Sequence, residues 1–175
     1  MNIKTRPLQQ AEFQTLIFST PQPWKSIFML AYCTAYRVSD LLSLKRTPCP
    51  KVVQLVEKKT KRQNVIVPHS QLIESWNYLY SYHDGEYLIP FRDPSTFRKS
   101  LVSWCKKCGI DTTRVAFHSI RKTTATTLYK NLGFIAASHF LNHAKLSTTL
   151  SYIEMDAVEV GSILESSFHL HGEKR

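Results

Sequence analysis

The spacing of apolar residues predicts helices along most of the chain. Phe13, Leu16 and Ile17 fall on one side of a helix that we expect to begin near Thr5, because a proline lies in its first turn and a glutamate follows soon after. The same periodicity predicts a second helix after Pro23 and returns in four later segments. Those segments are residues 70–82, 94–109, 117–132 and 134–141.

A different pattern occupies residues 52–67. Two runs rich in β-branched residues, 52–56 and 65–67, lie on either side of a lysine-rich turn, and Pro68 follows the second run. β-Branched side chains fit the surface of a sheet better than that of a helix. The pattern predicts an antiparallel hairpin. The expected fold class is therefore mainly α with a small antiparallel β-sheet, an α+β architecture.

A chain of 175 residues suits one domain with a substantial core. Helical patterns continue to the C-terminus, with a start at Ser147 and a last amphipathic segment at 158–168. We therefore expect one main domain over residues 1–155, followed by a C-terminal helix or tail over residues 156–175. The sequence shows neither a signal peptide nor an apolar run that could cross a bilayer, which predicts a cytoplasmic location.

The chain has a net charge of +10, and the basic excess is uneven. Residues 45–62 hold seven basic side chains and a single acid, Glu57, whereas residues 154–175 hold five acids and two basic residues. A strongly basic body favours a polyanionic partner, with nucleic acid ahead of an anionic membrane surface. The alternative is ordinary solvated charge. We expect the acidic tail to pack on protein while the basic body faces DNA.

The four cysteines, Cys33, Cys49, Cys105 and Cys108, are expected to be reduced thiols in the cytoplasm. Cys105 and Cys108 match half of a zinc or redox motif. No second Cys pair follows them, and the segment has helical spacing. We therefore interpret the two as core or surface thiols of a helix.

Five side chains carry the candidate chemistry, namely Arg37, His118, Arg121, His143 and Tyr152. His118 and Arg121 are three residues apart and therefore share a helix face. Taken singly, each residue has an ordinary explanation as a solvated cation, a structural histidine or a core aromatic. Together, two imidazoles, two guanidiniums and a phenol predict a site that binds one phosphate and attacks it with a tyrosine.

These motifs resemble the catalytic domain of the tyrosine recombinases, the phage-integrase family. Residues 34–41 match the family's first arginine motif, and residues 141–143 and 147–152 match its Leu-Gly-His and tyrosine motifs. The resemblance covers residues 5–155 and implies the same catalytic-domain fold. It also implies six catalytic residues, which are Arg37, Lys59, His118, Arg121, His143 and Tyr152.

The chain departs from the family pattern at several positions. Ala35 and Asn142 replace common glycines, which predicts altered local backbone geometry, and Asp40 stands where glutamate is usual. The turn after Lys59 is one residue longer than usual, so Lys61 is a rival for the lysine role. The family's separate N-terminal domain, which clasps DNA, has no counterpart. That leaves two interpretations, a fragment or a natural single-domain member.

The resemblance implies that Tyr152 attacks a phosphodiester and forms a 3′-phosphotyrosine, leaving a free 5′-hydroxyl. The two arginines and His143 would stabilise the transition state, His118 would move the phenolic proton, and Lys59 would protonate the leaving oxygen. No cofactor is implied, because guanidiniums take the place of a metal, and the sequence has neither a Walker loop nor clustered carboxylates. The implied partners are double-stranded DNA and other copies of the chain in a tetramer, without a membrane.

A second group of basic residues is a candidate for contacts with the DNA backbone. Such contacts give affinity and salt dependence rather than sequence recognition. The candidates are Lys45, Arg46, Lys58, Lys61, Arg62, Arg98, Lys99, Lys106 and Lys107.

Two alternative functions stay open at this point. One shares the chemistry: a type IB topoisomerase-like enzyme that nicks and rejoins DNA without exchanging partners. The other is a catalytically weak or inactive truncated relative that binds DNA and regulates a recombinase or a promoter. The missing clasp domain favours the regulator, whereas the complete set of six residues favours an enzyme.

Overall fold

The computed structural model describes residues 5–142 of the chain. The predicted helix start at Ser147, the predicted helix at 158–168 and the predicted boundary at residue 155 lie outside the described residues. Within the described part, no helix combines the length and the apolar character that crossing a bilayer requires.

Residues 5–142 form six helices and one hairpin. The helices are α1 (Gln10–Ser19), α2 (Trp24–Thr34), α3 (Val38–Leu41), α4 (Ser70–Tyr82), α5 (Pro94–Lys107) and α6 (His118–Phe140). The strands are β1 (Val53–Val56) and β2 (Gln63–Ile66). The expected fold class, mainly α with a small antiparallel sheet, is confirmed.

Helix α1 begins later than the sequence pattern predicted. Its first residue is Gln10, and Gln9 with Glu12 forms a capping box at its N-terminus. The preceding residues stay outside the helix because α6 binds their backbone, with the Leu8 amide donating to Thr123 Oγ1 at 2.9 Å. The expected start near Thr5 was therefore wrong, and the proline precedes the helix instead of opening it.

The predicted helices at 94–109 and 117–141 are present, with changes at their ends. Asp93 caps α5 by accepting from the Ser95 amide at 2.9 Å, and the helix ends at Lys107. Helix α6 runs through both of its predicted segments but is interrupted at Gly133, whose φ of 81° and ψ of 176° are non-helical. Glycine adopts such a backbone at no steric cost, so the predicted break is confirmed as a kink.

The hairpin predicted from the β-branched runs is also confirmed. Its strands pair antiparallel, with Val53 opposite Ile66 and Val56 opposite Gln63. Successive side chains of a strand point to opposite faces, so Val53 and Ile66 are buried whereas Val56 is exposed. The turn between the strands, residues 57–62, carries the lysines that the sequence singled out.

Helix α2 lies at the centre of the core, where it packs against α1, α4 and α6. Its inward side chains include Ile27, Phe28 and Leu30, which are fully buried. Trp24, at its start, stacks on Phe91 with ring centroids 4.8 Å apart. Aromatic pairs of this kind add to the stabilisation from buried area. This packing fixes the end of α2, from which the chain enters α3.

The four cysteines are free thiols. Burial raises the pKa of Cys105, in α5, to about 11, while Cys108, just past the helix end, is half-buried. Burial likewise raises the pKa of Cys33, in α2, to about 12. Because a protonated thiol is a poor nucleophile and a poor metal ligand, the interpretation of Cys105 as a core thiol of a helix agrees with the structure.

Replacing Phe28 by alanine should destabilise the fold by about 3–5 kcal/mol, because its ring is fully buried in the core. Phe18→Ala is the matched control. The Phe18 ring is 84% exposed near the end of α1, and its removal should change the unfolding free energy by less than about 0.5 kcal/mol. Urea unfolding followed by circular dichroism measures both losses, and equal losses would contradict this description of the core.

Candidate active site

Arg37 lies where α3 begins, and two acids contact its side chain. It is the N-cap residue of the helix, with an extended backbone of φ −70° and ψ 156°. Its Nη1 donates to Glu57 Oε2 at 2.8 Å and lies 3.9 Å from Asp40 Oδ2. Both acids are buried, whereas 18% of the Arg37 side chain is exposed. One nitrogen of the guanidinium is thus fixed while the side chain keeps contact with solvent.

The two residues before Arg37 set its approach. Ala35 follows α2 in the left-handed conformation, with φ 50° and ψ 23°. This replacement of a common glycine was expected to alter the backbone, yet the position adopts a conformation that glycine takes most easily. Tyr36 is buried, and burial, with Glu57 and Asp40 nearby, raises the pKa of its phenol. Tyr36 is therefore a neutral core residue.

Arg121, in the first turn of α6, is buried and joins the ends of two helices. Its Nη1 donates to the carbonyl of Ala35, the C-cap of α2, and its Nη2 donates to the carbonyl of Leu141, the C-cap of α6, at 2.8 Å. Carbonyls at helix C-termini lack intrahelical partners and carry partial negative charge. We call this arrangement the Arg121 clamp. It uses at least two of the five guanidinium donors for the fold.

His118 is the first residue of α6 and is half-buried. It lies one turn before Arg121, so the helix face that the sequence predicted for this pair is present. The helix start is fixed locally, since the Ala116 amide donates to Ser119 Oγ at 3.1 Å. This hydrogen bond stabilises the turn at which the helix begins with His118.

The hairpin turn carries Lys59 and Lys61, and both are exposed. The turn is bonded to the surroundings of Arg37, because Thr60 Oγ1 donates to the same Glu57 oxygen at 2.6 Å. Neither lysine side chain is held by another residue within the range 5–142. Both lysines therefore stay candidates for the single lysine role.

The second strand of the hairpin is bonded to the end of α6. Asn142 Nδ2 donates to the Gln63 carbonyl at 3.0 Å, and Asn64 Nδ2 donates to the Phe140 carbonyl at 3.4 Å. Asn142 has a φ of 55°, in the left-handed region that asparagine tolerates better than most residues. The second replacement of a common glycine thus also keeps a backbone that glycine adopts readily.

Four of the six predicted catalytic residues lie in the described part of the chain. Those four are Arg37, Lys59, His118 and Arg121, and the other two, His143 and Tyr152, lie outside it. The Arg121 clamp connects α6 with the residues just before Arg37, and Glu57 connects Arg37 with the hairpin turn. A short chain of bonds therefore joins the segments that carry all four.

Sequence reasoning missed the structural role of two acids, Asp40 and Glu57. They are 0% and 1% exposed, and both contact Arg37. A signal existed for Glu57, which is the single acid among seven basic residues in the segment 45–62. A buried carboxylate needs a cationic or hydrogen-bonding partner. No sequence pattern identifies that partner, however, because Arg37 is 20 positions away.

The basic candidates for DNA contacts fall into two groups. One group has exposed side chains and consists of Lys58, Lys61, Arg62, Arg98, Lys99, Lys106 and Lys107. The other group, Lys45 and Arg46, is engaged with residues 80–87, and of these two only Lys45 is also exposed. Lys45 pairs with Glu86, and Arg46 Nε donates to the Tyr80 carbonyl at 2.9 Å. The first group is thus the better placed to meet a polyanion, and Arg46 serves the fold.

Arg92 is a further cation that sequence reasoning did not identify. Its guanidinium lies 3.8 Å from the ring centroid of Tyr87, and its Nη1 donates to the Leu42 carbonyl at 2.6 Å. Lys45 lies over the same ring at 4.3 Å. Cation–π contacts of this kind are worth about 0.5–1 kcal/mol at exposed sites. Together they fasten the segment before α5 to the end of α3, the helix that Arg37 caps.

Residues 8–159 match the sequence model of the phage integrase family. Among solved structures, XerA recombinase is 21% identical with a TM-score of 0.77, and the match covers 100% of this chain and 68% of that chain. A lambda integrase dimer bound to a COC′ core site is 20% identical with a TM-score of 0.75, and the match covers 91% of this chain and 65% of the integrase chain. The Tn1549 transposon integrase in complex with circular intermediate DNA is 13% identical with a TM-score of 0.76. That match covers 94% of this chain and 67% of the Tn1549 chain.

The chain therefore spans about two thirds of the length of these three structures. It spans 52% of a lambda integrase chain in a tetramer bound to a Holliday junction, which is 19% identical with a TM-score of 0.74. No curated protein sequence matches the chain at a significant level.

Proposed function

Because the chain belongs to the phage integrase family, we propose that it is a site-specific DNA recombinase that cleaves and rejoins DNA strands. Tyr152 is the nucleophile, double-stranded DNA is the substrate, and the intermediate is a 3′-phosphotyrosine beside a free 5′-hydroxyl. The phosphotyrosine bond conserves the energy that rejoining needs, so the cycle requires no ATP. With chromosomal DNA as the substrate, the protein would act in the cytoplasm, at the nucleoid.

The observation that carries this proposal is the bonded connection between the segments of four predicted catalytic residues. The Arg121 clamp joins α6 to the residues before Arg37, and Glu57 joins Arg37 to the turn of Lys59. Fixed proximity and orientation lower a reaction barrier by up to roughly 7–11 kcal/mol in favourable cases. Electrostatic binding of a duplex needs only exposed cations and does not require hydrogen bonds that link these segments to one another. The bonded connection between the segments therefore supports a reaction rather than binding alone.

The first step is attack by the Tyr152 oxygen on phosphorus. A phenol has an ordinary pKa of about 10 and is a weak nucleophile at neutral pH, so His118 accepts the phenolic proton as the new P–O bond forms. The bond between phosphorus and the 5′ oxygen breaks, and Lys59 donates a proton to that oxygen. Rejoining reverses these steps, with the 5′-hydroxyl as the nucleophile.

Negative charge that grows on the non-bridging oxygens is matched by Arg37 and Arg121, with a hydrogen bond from His143. A guanidinium binds phosphate oxygens through parallel N–H groups, and one preorganised donor of this kind is worth about 3–4 kcal/mol. Arg37 is held at one nitrogen by Glu57 and is partly exposed, which suits a phosphate contact. These charges are the reason that the proposed reaction needs no metal cofactor.

We expect the active assembly to be a homo-tetramer on DNA. The similar solved structures include a lambda integrase dimer on a core site and a tetramer on a Holliday junction. Residues 1–155 would form the catalytic domain. Residues 156–175, which are rich in acids and apolar side chains, would dock on a neighbouring subunit.

A second candidate function, a DNA-binding regulator without strand transfer, is favoured by one observation. Arg121 is 2% exposed, and backbone carbonyls bind two of its nitrogens, as in an arginine that serves the fold. A topoisomerase-like enzyme would instead share the covalent intermediate and act as a monomer. The covalent intermediate therefore separates both enzymes from the regulator.

A nicked DNA substrate that loses a short strand after cleavage should trap the parent protein as a covalent adduct, because rejoining then has no nucleophile. Tyr152→Phe removes only the phenolic oxygen and should lower adduct formation by at least about 10³-fold while DNA binding persists. Denaturing electrophoresis measures the adduct, and a gel shift measures binding.

A chelator should leave the rate of adduct formation unchanged. An adduct in the Tyr152→Phe variant would contradict the assignment of the nucleophile. A parent protein that binds the substrate without forming an adduct would contradict the enzyme and support the regulator.

Arg62→Ala should reduce the slope of log binding constant against log salt concentration by about 0.9, because one lost phosphate contact accounts for that change. Arg46→Ala is the matched control, since Arg46 is bonded to Tyr80 and should leave the slope unchanged while it lowers folding stability. Fluorescence anisotropy with labelled duplex between about 50 and 200 mM salt measures the slope. A larger change for Arg46→Ala would contradict the hairpin turn as a DNA-facing surface.

A further inference from the structure

We propose that Glu57 and Thr60 are positioning residues that hold the turn carrying Lys59 against Arg37. The bonds between them would keep the general acid and the phosphate-binding arginine at a fixed separation. The inference rests on the proposed strand transfer and adds two residues to its machinery. Neither residue would touch a reacting atom. Thr60 would act through the turn that carries Lys59, and Glu57 would act through that turn and through Arg37.

One carboxylate oxygen makes the connection. Glu57 Oε2 accepts from Arg37 Nη1 at 2.8 Å and from Thr60 Oγ1 at 2.6 Å. Glu57 directly follows β1 and is buried, so solvent does not compete for this oxygen. Hydrogen bonds to a charged acceptor are about twice as strong as those between neutral groups. This oxygen therefore links the turn to Arg37 through two hydrogen bonds.

The backbone of the turn is fixed on both sides of Lys59. The Lys58 amide donates to Asp40 Oδ1 at 2.9 Å, and Thr60 is held by its hydroxyl. The turn closes on itself as well, because the Glu57 amide donates to the Arg62 carbonyl at 2.9 Å. Each neighbour of Lys59 is thus bonded to an acid that also contacts Arg37.

The charge balance of this cluster favours the turn in its observed place. Asp40 and Glu57 are buried, and Arg37 contacts both, so two acidic side chains share one guanidinium. A buried charged group that loses its donors destabilises a protein by about 1–3 kcal/mol or more. The Thr60 hydroxyl and the Lys58 amide are donors to these carboxylates. Displacing the turn would remove both.

The Lys59 side chain has no comparable restraint of its own. It is exposed, and no side chain or backbone group in the described part of the chain binds it. Its reach toward a leaving oxygen therefore depends on the turn backbone. Since a displacement of about 1 Å at a reacting group can cost about 10²-fold in rate, the Glu57–Thr60 bond would control the rate of proton donation.

The test compares Thr60→Val with Thr60→Ser. Valine has the shape of threonine without the hydroxyl, whereas serine retains it. Lys59→Ala shows the behaviour of a protein without its general acid. Thr47→Val is the matched control, because Thr47 is exposed and its carbonyl, rather than its hydroxyl, accepts from Trp76. Urea unfolding of each variant reports whether the fold is retained.

Two DNA substrates distinguish proton donation from the other steps. One has the ordinary scissile phosphodiester, and the other has sulfur in place of the bridging 5′ oxygen. A thiol has a pKa of about 8.5, far below that of an alcohol, so a thiolate leaves without being protonated. Loss of the general acid, or loss of its position, should therefore slow cleavage of the oxygen substrate alone.

We expect Thr60→Val to cleave the ordinary substrate about 10–100-fold more slowly than the parent and the sulfur substrate at the parental rate. Lys59→Ala should likewise be slow on the ordinary substrate alone. Thr60→Ser and Thr47→Val should keep parental rates on both substrates. Adduct formation under single-turnover conditions measures these rates. Such conditions separate the cleavage step from binding and product release.

Equal slowing of both substrates by Thr60→Val would overturn the inference, because the defect would then lie in Arg37 or in the fold. Parental rates on both substrates would also overturn it. Failure of the proposed strand transfer itself has a different signature, in which the parent protein binds DNA and cleaves neither substrate.

Discussion

The Arg121 guanidinium donates to the last carbonyls of two helices, and the positions of the other site residues follow from these two bonds. One bond fixes Ala35, two residues before Arg37, and the other fixes Leu141, next to the asparagine that holds β2. A planar cation suits this place because both carbonyls carry the partial negative charge of a helix C-terminus. Burial strengthens the interaction by lowering the local dielectric constant. The clamp thus converts three separate segments into one frame, and it does so inside a protein whose surface is strongly basic.

A basic site of the kind proposed, which would bind a phosphate, would be expected to exclude acids, yet Asp40 and Glu57 both contact Arg37. Their effect is directional. A carboxylate that holds one guanidinium nitrogen restricts the rotation of the side chain and leaves its remaining surface available to an incoming anion. The same carboxylates bind the hairpin turn, so the restriction extends to the backbone that carries the lysines. The two acids lower the positive potential around Arg37 but restrict the motion of its side chain and of the turn. Such a restriction favours a reaction more than it favours binding.

The parts of this fold that the sequence revealed are those governed by local pattern. Helix α4 and the hairpin follow from apolar spacing and β-branching, and both were predicted. The two segments predicted at 117–132 and 134–141 are joined in one helix that is kinked at Gly133. The start of α1 was misplaced because Thr123, more than a hundred residues away, binds the Leu8 backbone. The same limit applies to the site. Residue types at family spacing predict Arg37, Lys59, His118 and Arg121 as site residues, whereas the burial of Arg121 and the partner of Glu57 depend on contacts between distant segments, which no local pattern encodes.

The frame held by Arg121 can be tested most directly by hydrogen exchange in Arg121→Lys. A lysine retains the charge but cannot reach two carbonyls in a fixed fork. Peptides covering residues 35–42 and 136–142 should exchange at least about tenfold faster than in the parent protein, while a peptide within α4 keeps its protection. Arg114→Lys, at an exposed arginine, should change none of them. Unchanged exchange at both clamp ends, or a uniform rise that includes α4, would contradict the claim that this side chain assembles the site.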